Sequence, residues 1–303
     1  MSERTEQESV DLPETVFSAL GDETRLRILL ELAAVANERG VGAGLSFSEL
    51  RQRVGVEDSG RFNYHLDKLS GSFITKRDGQ YIPLGPTMEV ASAVHAGTYS
   101  SEPGEHSTES DWHCPECGDR LLLRYTGELL FLWCDRDDSY LLAYDIPSGA
   151  FEGRSLDELA AVTYHRATME INTARQGICP RCWGHTNASY PVNPEAPPQL
   201  HAAGDAVQTR LVCDRCWLRY NVPLRAVVAS SPTVRSPLRR SGVDPVRAAI
   251  TGQAGDTTLN WAVSVDEEDP VRASVRLELG TDEMAVDLDE DARTLDRRHS
   301  NQV

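Results

Sequence analysis

Seven cysteines constrain this 303-residue chain most, because six of them fall in Cys-x-x-Cys pairs. A Cys-x-x-Cys turn brings two thiolates close enough to share one ion, and two such turns complete a tetrahedral four-sulfur site suited to zinc. Cys179-Pro-Arg-Cys182 and Cys213-Asp-Arg-Cys216 form such a set. The thirty residues between them are more than a compact ribbon needs. A proline-rich stretch in that spacer, YPVNPEAPPQL, can bulge out without disturbing the flanking strands. An odd number of cysteines arranged this way argues for metal before disulfides. Four protein ligands close the coordination sphere, so the expected zinc is structural rather than catalytic and supplies much of a small module's stability.

A second set departs from this pattern. Cys114-Pro-Glu-Cys117 is followed, after sixteen residues, by Cys134-Asp-Arg-Asp137, the spacing of a zinc ribbon with aspartate in the last position. A carboxylate oxygen can ligate zinc, but its harder oxygen should hold the ion less tightly than a fourth thiolate. Three alternatives stand here. Zinc sits on Cys114, Cys117, Cys134 and Asp137; or on the three cysteines with His113 or water in fourth place; or the ribbon holds no metal and is kept together by packing. Trp112, Trp133, Trp183 and Trp217 lie beside or near these ligands and are expected to cover the ribbons. His185 reads as a turn residue and His165 as a surface residue of a helix.

Hydrophobic periodicity predicts an α+β chain. Residues 11–97 read as one helical unit with a short sheet. A brief helix covers 15–20. A second, ETRLRILLELAAVA, is capped by Asp22 and shares a face through Leu26, Leu29, Leu30 and Ala33. Ser46 caps a third helix, FSELRQRV, with capping-box spacing to Glu49, and Gly55 ends it. A fourth, GRFNYHLDKL, starts at Asp58 or Ser59 and turns Phe62, Leu66 and Leu69 inward. SFITKR and QYIPL then make a hairpin around Asp78-Gly79, and PTMEVASAVHA makes a last helix. Residues 98–112 read as a polar linker, and 113–150 and 178–228 as the first and second ribbon modules. Between the modules, 155–176 is a long helix with a Ser155/Glu158 capping box. Residues 229–296 form an α/β segment ending in a hairpin of VRASVRLEL and EMAVDLD, in a stretch (266–291) with eleven acids against two arginines.

Helices three and four, joined by a tight turn and followed by a hairpin, have the order of a winged helix-turn-helix, whose second helix enters the major groove of double-stranded DNA. With Phe62, Leu66 and Leu69 inward, Arg61, Asn63, Tyr64 and Lys68 fall on exposed flanks. Arg and Asn can make bidentate contacts to guanine and adenine edges, and Lys76 and Arg77 beside the hairpin turn suit phosphate. Ser46, at the start of the third helix, joins these candidate DNA contacts. From Arg61 to Arg77 there are four basic residues and one acid, in a chain whose net charge is -17. ALGDETRLRILLEL at 19–32 and FNYHLDKL at 62–69 resemble the second-helix and recognition-helix patterns of ArsR-type winged-helix transcriptional regulators. The resemblance covers roughly a third of the chain. It implies a homodimer packed through the first and last helices, near 13–20 and 87–96. It places Asn63 and Tyr64 where that family reads bases, with His65 as either a phosphate contact or a partly buried histidine. The sequence departs from the family in two places. The turn from Gly55 to Leu66 is about one residue longer, and the third helix, SFSELRQRV, lacks the thiolate pair of many metal-sensing members. Arsenic or cadmium sensing there is therefore not implied.

Composition sets the background. Lys68 and Lys76 are the only lysines, and the pI is about 4.9. A lysine-depleted, acidic chain resembles haloarchaeal proteins, and winged-helix chains with cysteine modules resemble haloarchaeal members of the ArsR group. An acidic protein from a GC-rich genome is the alternative. In a salt-rich cytoplasm dense carboxylates hold water and ions, so the acidity argues little against nucleic acid as partner. There is no apolar run long enough for a membrane span and no basic-then-apolar leader in MSERTEQESVDLPE, so a cytoplasmic location is expected. No Walker loop, G-x-S-x-G or H-E-x-x-H occurs, which argues against an enzyme. The leading expectation is a dimeric DNA-binding transcriptional regulator with a zinc-containing C-terminal region for assembly or for sensing an effector of unknown identity. The alternative is a zinc-ribbon interaction adaptor of the transcription machinery.

Overall fold

A computed structural model of the chain describes residues 14–99, 104–191, 207–254, 257–266, 271–279 and 282–299. Most of the proline-rich stretch, part of the expected linker and the Gly280-Thr281 turn lie outside these residues. The chain is mixed α+β and divides into two compact units, 1–101 and 102–303, each described by itself.

The first unit runs α1 (Glu14–Leu20), α2 (Glu23–Arg39), β1 (Leu45–Ser46), α3 (Phe47–Val54), α4 (Ser59–Leu69), β2 (Ile74–Arg77), β3 (Gln80–Pro83) and α5 (Gly85–His95). Its helix starts are written in the sequence. Asp22 accepts from the Arg25 N–H at 3.1 Å, and Asp58 from those of Gly60 (2.7 Å) and Arg61 (3.1 Å). Ser46 and Glu49 cap each other's backbone N–H groups reciprocally. The β2–β3 turn holds Asp78 at φ 50° and Gly79 at φ 79°. Positive φ at both central residues suits the right-handed strand twist, and Asp-Gly accepts it at little cost. Phe62, Leu66 and Leu69 are buried as expected, against Ile28, Leu29, Leu32, Leu50, Phe73, Ile74 and Tyr81. The inner face of α2 differs from the expected one. Ile28, Leu29, Leu32, Ala33 and Val35 are buried, while Leu26 and Leu30 are only half-buried. The two-residue strand β1, not anticipated, pairs with β3 and makes a sheet of order β1-β3-β2.

The second unit opens with an antiparallel meander, β4 (His106–His113), β5 (Arg120–Tyr125), β6 (Leu129–Cys134) and β7 (Ser139–Asp145), in the order β4-β5-β6-β7. Strand β4 corrects the linker expected over 98–112. Its side chains are mostly polar because it is an edge strand, and the ladder to β5 rather than burial holds it. Helix α6 (Leu156–Ala174) follows, started by the Ser155/Glu158 capping box. Leu156 and Leu159 enter the core of the first meander, and Ile171 packs on the C-terminal core.

Strands β8 (Thr186–Ser189), β9 (Gln208–Cys213) and β10 (Arg219–Pro223) form a sheet of order β10-β9-β8. Three short helices come next, α7 (Leu224–Ser230), α8 (Pro232–Arg240) and α9 (Pro245–Thr251). After them β11 (Gln253–Ala254) pairs with β12 (Thr257–Thr258). The expected C-terminal hairpin is the centre of a larger sheet: β13 (Asn260–Asp266), β14 (Arg272–Leu279), β15 (Asp282–Leu288) and β16 (Thr294–His299), in chain order. Strict alternation builds its inner face from the cross-strand pairs Ala273/Leu288, Val275/Val286 and Leu277/Met284, all buried.

Candidate metal centres and nucleic-acid interface

Each cysteine set converges. In both, one ligand atom from every residue lies within 4.8 Å of the others. In the second centre the two knuckles precede β8 and end β9. The Cys179 and Cys216 sulfurs are 3.6 Å apart, and those of Cys182 and Cys213 3.4 Å. Four sulfurs bonded tetrahedrally at about 2.3 Å would be separated by about 3.8 Å, so little movement is needed to enclose an ion. Backbone N–H groups point at the sulfurs, Cys182 to Cys179 Sγ at 3.5 Å, Gly184 to Cys182 Sγ at 3.4 Å and Cys216 to Cys213 Sγ at 3.4 Å. Burial pushes the Cys213 thiol up, but the N–H groups of Cys216 and Arg215 and the neighbouring thiols outweigh it and bring the group down to about 7. Cys216 goes the other way, to about 12, through burial and the sulfurs around it. This donor set could bind a metal ion, whose charge would favour thiolate at all four positions.

The first centre forms where the turn after β4 meets the turn between β6 and β7. Asp137 Oδ2 lies 3.3 Å from both Cys114 Sγ and Cys134 Sγ, and Cys117 Sγ is 3.5 Å from Cys134 Sγ. Of the alternatives left open by the sequence, the geometry brings Asp137 rather than His113 into the fourth place. Cys114 and Cys134 are buried, Cys117 is half-buried and Asp137 is exposed. Burial pushes the Cys114 and Cys134 thiols above the ordinary cysteine range, and the Asp137 carboxylate adds to that. A cation among these groups would reverse both effects. This set too could bind a metal ion, with three soft donors and one hard one.

The tryptophans divide. Trp112 packs on the first meander's core, and Trp133 lies against Tyr140 and under the Arg124 guanidinium. Trp183 and Trp217 do not cover the second centre as expected; they are 85% and 65% exposed. Each directly follows the second cysteine of its knuckle, where the turn directs the side chain outward. His185 is exposed and lies 3.5 Å from Asp214, but its backbone pairs with Ile178 in an antiparallel bridge rather than forming the expected turn, and His165 is exposed on α6.

In the first unit, Arg61, Asn63, Tyr64 and Lys68 are exposed on α4, with the apolar residues of the helix inside. Asn63 Nδ2 donates to Asp67 at 3.1 Å, which fixes the amide on the helix surface. The Lys68 ammonium lies over the Tyr64 ring at 5.6 Å and that of Lys76 over Tyr81 at 5.0 Å. Lys76 and Arg77 are exposed at the end of β2. Ser46 is committed to its cap, its hydroxyl 2.5 Å from the Glu49 carboxylate. His65 is 4% exposed and faces inward, with Nδ1 3.5 Å from Asp22 Oδ1.

Residues 111–294, more than half of the chain, match the family model described as a domain of unknown function, DUF7351, and residues 13–94 match a second domain of unknown function, DUF7347. No curated protein and no solved structure matches the chain.

Proposed function

The chain belongs to the DUF7351 family, and we propose, from the geometry of its residues, that it is a dimeric, sequence-specific DNA-binding transcriptional regulator whose C-terminal region is built around zinc. One observation carries the reading: α4 buries its apolar residues and turns Arg61, Asn63, Tyr64 and Lys68 outward, in the same unit as a tight hairpin that ends in Lys76 and Arg77. The element order, with the short strand β1 before α3 joining the β2–β3 hairpin after α4 in one three-stranded sheet, supports a winged helix-turn-helix. Arg61, Asn63 and Tyr64 are the base-reading residues in this proposal, and Lys68, Lys76 and Arg77 neutralise phosphates. His65 faces inward and is left out. Zinc suits the second centre as a closed four-thiolate site and the first as a weaker three-thiolate, one-carboxylate site. No helix among the described residues is long and apolar enough to cross a membrane.

Electrophoretic mobility shift in high KCl tests the reading, with genomic fragments and the wild type against Arg61→Ala/Asn63→Ala. A specific shift lost in the variant is expected. Absence of a specific shift with every fragment overturns the proposal and leaves the protein-interaction adaptor.

A further inference from the structure

The two knuckles of the second centre end in the same three residues, Arg181-Cys182-Trp183 and Arg215-Cys216-Trp217. Both tryptophans hold left-handed backbone, at φ 63° and 59°. Each donates its backbone N–H to the carbonyl of the first cysteine in its knuckle, Trp183 to Cys179 at 3.0 Å and Trp217 to Cys213 at 3.1 Å. In the first centre the same turn position is filled by Gly118, at φ 77°, which donates to Cys114 at 2.9 Å, and in the other knuckle by Asp138, at φ 48°, a residue type that visits left-handed backbone far more readily than tryptophan. Glycine takes this conformation freely, and a bulky side chain is strained in it. Burial does not offset the strain, because both indoles stand in solvent. Strain that brings no packing gain is characteristic of positions that present a side chain to a ligand.

The two tips are neighbours. Their Cys182 and Cys216 ligand atoms lie within 4.8 Å, and a methyl group on Gly184 would come within 3.2 Å of the Arg215 Cβ. Arg181 and Arg215 are exposed beside the indoles, and Arg219 is exposed on the strand that follows. The one carboxylate within the knuckles, Asp214, accepts from Asn187 Nδ2 at 2.6 Å and sits 3.5 Å from His185 Nδ1. The tip is therefore basic and aromatic in a chain of net charge -17. Flat rings between guanidinium groups match a polyanion whose own rings are open to stacking. A duplex hides those faces and a single strand displays them.

We propose that Trp183 and Trp217, flanked by Arg181 and Arg215, bind single-stranded nucleic acid, with bases stacked on the indoles and phosphates on the guanidinium groups. The site belongs to the second unit and stands independently of duplex recognition by α4.

The test uses the full-length, metal-loaded chain, titrated with (dT)15 and (rU)15 while intrinsic tryptophan fluorescence and oligonucleotide anisotropy are read. Saturable quenching is expected with at least one of them, and comparing the two separates DNA from RNA. Trp183→Gly/Trp217→Gly should weaken binding at least tenfold while metal content and melting temperature do not fall, since glycine relieves the strained backbone. Arg181→Ala/Arg215→Ala should flatten the dependence of log affinity on log salt by about 1.4, two single-strand phosphate contacts' worth. Unchanged affinity in the double-glycine variant, or no quenching with either oligonucleotide, overturns the proposal. Polyglutamate of equal charge that displaces the oligonucleotide equally well also overturns it, in favour of an acidic protein partner. Duplex binding is scored separately with Arg61→Ala/Asn63→Ala, so either reading can fail alone.

Discussion

Tyr144 on β7 and Tyr220 on β10 donate their hydroxyls to the same carboxylate oxygen, Glu170 Oε2 on α6. The sheets of the two metal modules are thus joined through one helix residue. Arg166 holds the other oxygen at 2.8 Å. Burial pushes the Glu170 carboxyl up, but the two hydroxyls and the guanidinium outweigh it and hold the group below its ordinary value of 4.5. A lowered folded value means the contribution to stability is complete above the ordinary range and is lost as pH falls through the lowered value. Glu170→Gln should cost about 1–2 kcal/mol at pH 7, a fall of roughly 2–8 °C in melting temperature for a unit of this size. The gap between the two proteins should close on acidification from pH 7 to pH 3. Melting curves that stay equally separated throughout would count against the shared carboxylate.

Metal content distinguishes the two centres. Purified protein is expected to carry two zinc ions per chain, by elemental analysis. Asp137→Ala should release one of them to a chromogenic chelator at least ten times more readily and leave the other unaffected, because only the first centre depends on a carboxylate. Asp137→Cys should tighten the first centre by completing four thiolates. Equal release from both centres in wild type and Asp137→Ala would show that the carboxylate does not ligate.

Lys76 and Arg77 are assigned to phosphate rather than to bases. Replacing both with alanine should weaken duplex binding about equally across sequences and reduce the slope of log affinity against log salt by about 2. A change in sequence preference, seen by competition with variant duplexes, would move these residues to base reading.

Phe17 on α1 is 67% exposed, and Met88 and Val94 on α5 are 40% and 39% exposed. Apolar groups of this size in water fit helices that pack against a second copy. Phe17→Glu/Val94→Glu should shift the chain from dimer to monomer in sedimentation velocity without unfolding it. A wild type that is already monomeric at high concentration would remove this assignment.

Local chemistry carried most of what could be read before the structure. The caps at Asp22 and Asp58, the boxes Ser46/Glu49 and Ser155/Glu158, the Asp78-Gly79 turn and the converging cysteine sets all depend on residues near one another in sequence or on fixed spacings. The misreadings have a different origin. From Leu26 to Ala36 every position of α2 except Arg27 and Glu31 is apolar or alanine, so a rotation of its inner face leaves little trace in the pattern. Strand β4 is an edge strand with polar side chains, and backbone pairing of this kind has no hydrophobic signature. Strand β13 alternates in NWAVSVD, yet it follows a segment that Pro232 and Pro245 divide into helices too short to show periodicity, with Pro237 inside the second of them, which leaves the whole of 222–262 poorly legible. The exposure of Trp183 and Trp217 did have a signal: the repeated Arg-Cys-Trp, with tryptophan in the turn position that Gly118 fills in the first centre.

Helix α6 has 19 residues, about 28 Å of rigid rod. Leu156 and Leu159 near its start are fixed in the core beneath the first metal centre. Near its end Ile171 packs on the C-terminal core, and Arg175 donates to the Ala292 carbonyl at 2.6 Å. A rod clamped at both ends cannot settle at one without displacing the other. Filling either centre should therefore change the other's affinity for its ion by the same factor in both directions, a reciprocal coupling transmitted along the helix rather than by any shared ligand.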